Sequence, residues 1–221
     1  SLPSRGLGDV YKRQLINTSI RRGTSAVIRA GTGTGKTLAY LIPSIVSGKS
    51  TVVVTATKAL QDQLAHKDLP FLELHLDTPS GTPFTWAVLK GRSNYLCRQR
   101  VAEIGGLPSA DRVQLSLEGI DDEGRAEVER LAAWADSTIS GDLTELDWSP
   151  SESTIRAVTV SSDECPGAAQ CPQGESCFAE FARFNAASAD VVVVNAHLYG
   201  LNIAADGALL GEHDVVIFDE A

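Results

Sequence analysis

The sequence predicts an α/β fold: a parallel sheet flanked by helices and interrupted by a cysteine-bearing insertion. Three observations predict it. Apolar, β-branched runs alternate with helically spaced stretches over residues 25–89. A glycine- and threonine-rich loop joins the first run to the first of these helices. Two further β-rich runs, each led by an aspartate, return at residues 190–195 and 214–219 after a long stretch of different character. A β-α-β-α-β order implies parallel strands with right-handed crossovers. Continuous apolar runs without alternation suit strands covered on both faces.

Taken in order, residues 15–22 can form a short helix. Residues 25–29 (Ser-Ala-Val-Ile-Arg) read as a buried strand. Residues 31–35 are the loop, and residues 36–46 carry helical apolar spacing that Gly48 closes. Residues 51–55 form a second strand. Residues 57–66 form a helix with Thr57 as its N-cap, and Pro70 ends it. Residues 84–89 form a third strand. Residues 91–189 hold four scattered cysteines, turn-rich pieces and an acidic helical stretch around 126–134, and read as an insertion into the α/β domain. The organisation is therefore 15–90 and 190–221 for the sheet domain and 91–189 for the insertion.

Residues 1–14 look foreign. Asp9-Val10-Tyr11-Lys12-Arg13-Gln14 resembles a translated sequencing-adapter end, and the segment is set aside as a non-native scar. The chain has no methionine, starts at Ser1 and stops at Ala221 inside an apparent motif, so both ends of the domain are expected to be incomplete. Apolar residues make up 43%, an ordinary globular value. Runs such as residues 52–54 and 191–194 are far too short to cross a bilayer. With no secretory pattern at the opening, a soluble cytoplasmic protein without a membrane partner is expected.

The net charge of −9 argues at first against a nucleic-acid partner. Its distribution weakens that objection. Residues 109–164 hold 14 acidic and 4 basic side chains, a local balance of −10, which leaves +1 on the rest. The remainder is free to carry basic patches.

Ala30-Gly31-Thr32-Gly33-Thr34-Gly35-Lys36-Thr37 follows an expected strand and opens an expected helix, the context in which a Walker A pattern carries meaning. Glycines let the backbone N–H groups face a triphosphate, and the helix N-terminus adds partial positive charge. Lys36 is expected to reach the β- and γ-phosphates and Thr37 to bind Mg²⁺. Ala30 stands where the pattern has its first glycine. Residues 215–221 (Val-Val-Ile-Phe-Asp-Glu-Ala) put two carboxylates at a strand end, the Walker B position. Asp219 is expected to hold Mg²⁺ through its water shell, and Glu220 to orient and polarise the attacking water.

Cys97, Cys165, Cys171 and Cys177 are the only cysteines, the last three spaced C-x₅-C-x₅-C. Disulfides do not fit a chain without a secretion signal. An iron–sulfur cluster, a zinc ion, and four unrelated thiols remain open on spacing alone.

These residues together resemble a family. The Walker A loop is followed by Thr55-Ala56-Thr57-Lys58-Ala59-Leu60-Gln61, by Lys90-Gly91-Arg92-Ser93-Asn94-Tyr95-Leu96-Cys97, by three more cysteines, by Val-Val-Asn-Ala-His-Leu at 193–198, and by Asp219-Glu220-Ala221. This order resembles the DinG/XPD-type superfamily-2 DNA helicases over residues 15–221, most weakly in 105–160. The sequence ends where a DEAH box would continue to histidine. The resemblance implies a RecA-like P-loop sheet interrupted by a domain holding a four-iron–four-sulfur cluster, with Cys97, Cys165, Cys171 and Cys177 matching its ligands. It implies ATP and Mg²⁺ as cofactors, single-stranded DNA and DNA junctions as partners, and 5′-to-3′ movement. Thr57, Lys58 and Gln61 match a segment that contacts the single-strand backbone, and Lys90, Arg92 and Tyr95 a region near strand separation. Asn195 and His197 match a family segment whose histidine is as easily structural as functional. The family's second motor domain is absent, so weak nucleotide binding and little hydrolysis or unwinding are expected of these 221 residues alone. The competing reading is a non-helicase P-loop NTPase with a zinc-binding insertion.

Overall fold

The structure is a computed structural model that describes residues 5–29, 35–106 and 122–219. Contacts divide the chain into two compact units, residues 1–89 with 185–221, and residues 90–184.

The first unit is built on a four-stranded, all-parallel sheet of β1 (Thr51–Thr55), β2 (Trp86–Leu89), β3 (Val191–Asn195) and β4 (Val215–Asp219), in the order β2-β3-β1-β4. The central strands β1 and β3 are buried almost throughout, as the unbroken valine runs require. The aspartates that lead the last two strands act as clamps. Asp190 Oδ2 accepts from the backbone N–H (2.7 Å) and hydroxyl (2.9 Å) of Thr85, just before β2. Asp214 Oδ2 accepts from Ser50 N–H (3.1 Å), just before β1, and the Asp214 N–H donates to the Ser50 hydroxyl (3.1 Å). Each clamp fixes where a neighbouring strand begins.

Helix α1 (Arg5–Arg22) starts well before residue 15, so the segment set aside from the sequence continues as helix. Ile16 and Ile20 turn toward the core, and Lys49 Nζ donates to the Ile20 carbonyl at 3.0 Å. Helix α2 (Lys36–Val46) has the expected bounds. Gly48 closes it at φ 66°, donating to Ile45 O at 3.1 Å. Tyr40, Leu41 and Ile45 of α2 pack with Val53, Leu64, Leu69, Leu72, Phe84, Val191 and Val193.

Two expectations fail here. Residues 24–29 form no strand, and Val27 is fully exposed. A strand exists only as a ladder partner, and β-propensity alone does not supply one. This segment and β4 instead line a common cavity of about 990 Å³ without pairing. Nor does Pro70 end the helix that begins after Thr57. Helix α3 (Lys58–Gln63) passes through a π turn (Leu64–Asp68) into α4 (Leu69–His75). The π turn sends Leu69 N–H to Leu64 O and restarts the ladder, so Pro70 falls in a first turn, where its missing donor costs nothing. Thr57 does cap α3, accepting from Leu60 N–H at 3.3 Å.

The second unit packs α5 (Arg98–Gly106), α6 (Asp122–Ala135), α7 (Glu152–Val158) and the start of α8 (Phe178–Ser188) around Tyr95, Leu96, Val101, Ile104, Val128, Leu131, Val158 and Phe178. Leu96 N–H to Gly141 O (2.9 Å) and Cys97 N–H to Val158 O (2.8 Å) tie its irregular stretches to this core.

Gly141 has φ 63°, and a Cβ there would stand 2.2 Å from the Phe178 ring. Gly48 has φ 66° and open space around it. Gly48→Ala is expected to cost only the left-handed strain, about 1–2 kcal/mol. Gly141→Ala adds the overlap with a core ring, for a total of roughly 3 kcal/mol or more. Urea unfolding of the two variants followed by helical circular dichroism checks the order.

Candidate nucleotide site and cysteine-bearing unit

The register of the sheet aligns its motif residues. Thr55 of β1 pairs with Asn195 of β3 and with Asp219 of β4, so three polar side chains stand in one row at the carboxyl edge, where parallel sheets bind ligands. Helix α2 opens at the same end. Gly35 precedes it at φ 65°, ψ 27°, a left-handed geometry that glycine adopts without strain. Lys36, Tyr40 and Asp219 line the same cavity.

The helix start and the strand end are joined through one side chain. The Tyr40 hydroxyl donates to Asp219 Oδ2 at 2.8 Å. Burial first, then the Asp219 carboxylate, hold the Tyr40 phenol far above its ordinary range, against a smaller opposing influence of Thr37. It therefore stays a donor. Residues 30–34 and Glu220 lie outside the described residues. Asn195 caps the following helix, α9 (Ala196–Ala204), by accepting from Leu198 N–H at 2.7 Å, and His197 is exposed.

The six side chains expected at DNA fall into two groups. Thr57 and Lys58 are exposed. Gln61 is buried, its Nε2 without a partner among the described residues, so its amide is not presented at the surface. Lys90, Arg92 and Tyr95 are built into the second unit. Lys90 Nζ pairs with Asp142 at 2.6 Å and donates to the Thr144 hydroxyl at 2.9 Å. Arg92 pairs with Glu180. Tyr95 is 4% exposed, and its hydroxyl accepts from the Lys90 N–H at 3.1 Å. The expected free basic–aromatic surface is internally satisfied here, because carboxylates of the acidic insertion and the helix after Cys177 reach these cations first.

All four cysteines are free, partly buried and in the second unit. Cys97 lies just before α5 and Cys177 just before α8. Burial pushes the Cys97 thiol up, and the backbone N–H groups of Arg100 and Gln99 pull it back. Among the described residues no three Cys, His, Asp or Glu side chains are gathered in metal-holding geometry.

Residues 11–82 match the family described as DEAD/DEAH box helicase. The chain is 41% identical over 208 residues to ATP-dependent helicase DinG of Mycobacterium tuberculosis, covering 90% of this chain and 31% of that protein. It is 38% identical over 213 residues to ATP-dependent DNA helicase YoaA of Haemophilus influenzae (93% and 31%), and 39% over 211 residues to YoaA of Escherichia coli (93% and 31%). Over nine-tenths of its own length the chain is thus similar to DinG- and YoaA-type helicases. It spans about a third of the length of these relatives. No helix among the described residues is long and apolar enough to cross a membrane.

The residue that sequence reasoning passed over is Tyr40. Its apolar ring fits the helical spacing of a core position, and only its place three residues after Thr37, on the same helix face, hinted at the site.

Tyr95 supplies a pH test. Burial, opposed by the Lys90 N–H bond and aided by Asp142 and Glu145, raises its phenol to about 12. The fold thus favours the neutral form. Its contribution is complete below the unfolded phenol value of about 10 and is lost as pH rises toward 12. Urea midpoints measured from pH 9 upward are expected to fall more steeply for the unsubstituted chain than for Tyr95→Phe.

Proposed function

We propose that the chain is the nucleotide-binding part of the motor of an ATP-dependent DNA helicase, one that couples ATP hydrolysis to 5′-to-3′ movement on single-stranded DNA and to unwinding. The observation that carries the reading is the junction at the sheet edge, where the helix bearing Lys36 and Thr37 meets the strand end bearing Asp219. In this reading Gly31, Thr32, Gly33, Thr34 and Gly35 present backbone N–H groups to the phosphates, after Ala30. Lys36 neutralises the β- and γ-phosphate charge, and Thr37 and Asp219 hold the Mg²⁺ shell. Glu220 orients the attacking water. Two oxygen-bearing side chains beside a lysine suit a hard, hydrated cation.

DNA contact is assigned to the exposed Thr57 and Lys58, whose hydroxyl and ammonium suit phosphate oxygens. Lys90, Arg92 and Tyr95 serve the contact indirectly, by bracing the unit that carries the cysteines.

Cys97, Cys165, Cys171 and Cys177 are the proposed ligands of a four-iron–four-sulfur cluster. Four free, partly buried thiols in one compact unit, one of them receiving backbone N–H groups, fit that donor set. When bound, the cluster supplies a structural clip. The four side chains would close the irregular stretches around α5 and α8. These 221 residues by themselves bind nucleotide weakly and hydrolyse little.

Two measurements test the proposal. Iron and acid-labile sulfide on anaerobically purified chain are expected near four each, and lost on Cys→Ser change at any of the four positions. Stoichiometric zinc without sulfide, after expression with ample iron, would replace the cluster with the zinc-bearing alternative. Binding of a fluorescent ATP analogue is expected to weaken about tenfold or more in Lys36→Ala, the loss of one charged phosphate contact. Unchanged binding would contradict the nucleotide site.

A further inference from the structure

A tyrosine hydroxyl buried among apolar groups is costly unless it is hydrogen-bonded. Tyr40 is 7% exposed and packs with Leu41, Ile45 and Val53. Leucine or phenylalanine would fill this space equally well, so packing does not account for the hydroxyl. It donates to Asp219 Oδ2 across 179 residues of sequence.

The geometry has a consequence for Asp219. The terminal torsion of an aspartate is soft, and a carboxylate at the end of an edge strand has few neighbours to hold it. A bond from a ring fixed in the core removes that freedom. It occupies one site on Oδ2, leaving Oδ1 and the remaining lone pair available to a hydrated cation. The phenol is thus bonded to one of the two side chains assigned to Mg²⁺, and the other, Thr37, stands one helical turn before it on α2.

We infer that Tyr40 is a positioning residue for the Mg²⁺ site, holding the Asp219 carboxylate in place for the metal that accompanies the nucleotide. The inference rests on the nucleotide-site reading above and adds to it a residue that touches neither phosphate nor metal. Partners of this kind, bonded to a metal's ligands, typically change metal affinity 10- to 100-fold when removed.

The test is a Mg²⁺ titration of fluorescent ATP-analogue binding to the whole chain, with Mn²⁺ paramagnetic resonance as an independent readout of the metal. Tyr40→Phe keeps the ring, and circular dichroism with a urea midpoint verifies its fold. Its half-saturating Mg²⁺ and Mn²⁺ concentrations are expected to rise about tenfold or more, while nucleotide affinity in chelator stays within about twofold of the unsubstituted chain. In an Asp219→Asn background the same change is expected to add nothing, because the group it positions has already lost its charge. Equal metal dependence in Tyr40→Phe and the unsubstituted chain would overturn the inference and leave the nucleotide site standing. So would full additivity with Asp219→Asn. An unsubstituted chain that binds the analogue with no dependence on Mg²⁺ would overturn both.

Discussion

The parallel pairing of β1 with β3 on one side and β4 on the other is the constraint on which the first unit depends. It places Thr55, Asn195 and Asp219 in one row although Thr55 stands more than a hundred residues before the other two. The row is held in register by local chemistry at the opposite end of the strands. Asp190 seizes the start of β2 and Asp214 the start of β1, each through backbone and hydroxyl groups. A slip of one residue would carry Asp219 to the other face of the sheet, away from the opening of α2. Sequence, register and site are thus one chain of cause: aspartate-led valine runs give clamped parallel strands, and clamped strands deliver a carboxylate to the helix that begins at Lys36.

What could be read from the sequence was what local chemistry decides. The bounds of α2 were legible because Gly48 must adopt a left-handed conformation to close it, and the Thr57 cap because its hydroxyl serves a nearby N–H. Residues 24–29 were misread because Val27 and Ile28 have strand propensity, whereas a strand needs a partner that no local rule reveals. Pro70 was misread because a π turn five residues long shifts the hydrogen-bond ladder upstream of it. The Tyr40–Asp219 bond was invisible for a different reason: an aromatic at helical spacing looks like core, and here it is core with one polar atom left over.

The second unit shows how the same residue pattern supports two readings. A lysine, an arginine and a tyrosine ahead of a cysteine resemble a nucleic-acid surface. In the fold, Lys90 meets Asp142, Arg92 meets Glu180, and Tyr95 is buried beneath its own backbone contact. The acidity of the insertion, which first argued against DNA, is partly spent on these internal pairs. That leaves Thr57 and Lys58, on the other unit, as the exposed polar residues of the six.

The central claim is that the start of α2 and the end of β4 form one nucleotide site. Amide hydrogen exchange with and without an ATP analogue and Mg²⁺ tests it most directly, because it reports on both segments in a single sample without altering either. The account predicts that residues 36–40 and 215–219 gain protection together, at the same nucleotide concentration, and that Mg²⁺ lowers that concentration. Protection of one segment without the other, or protection confined to residues 90–184, would contradict it.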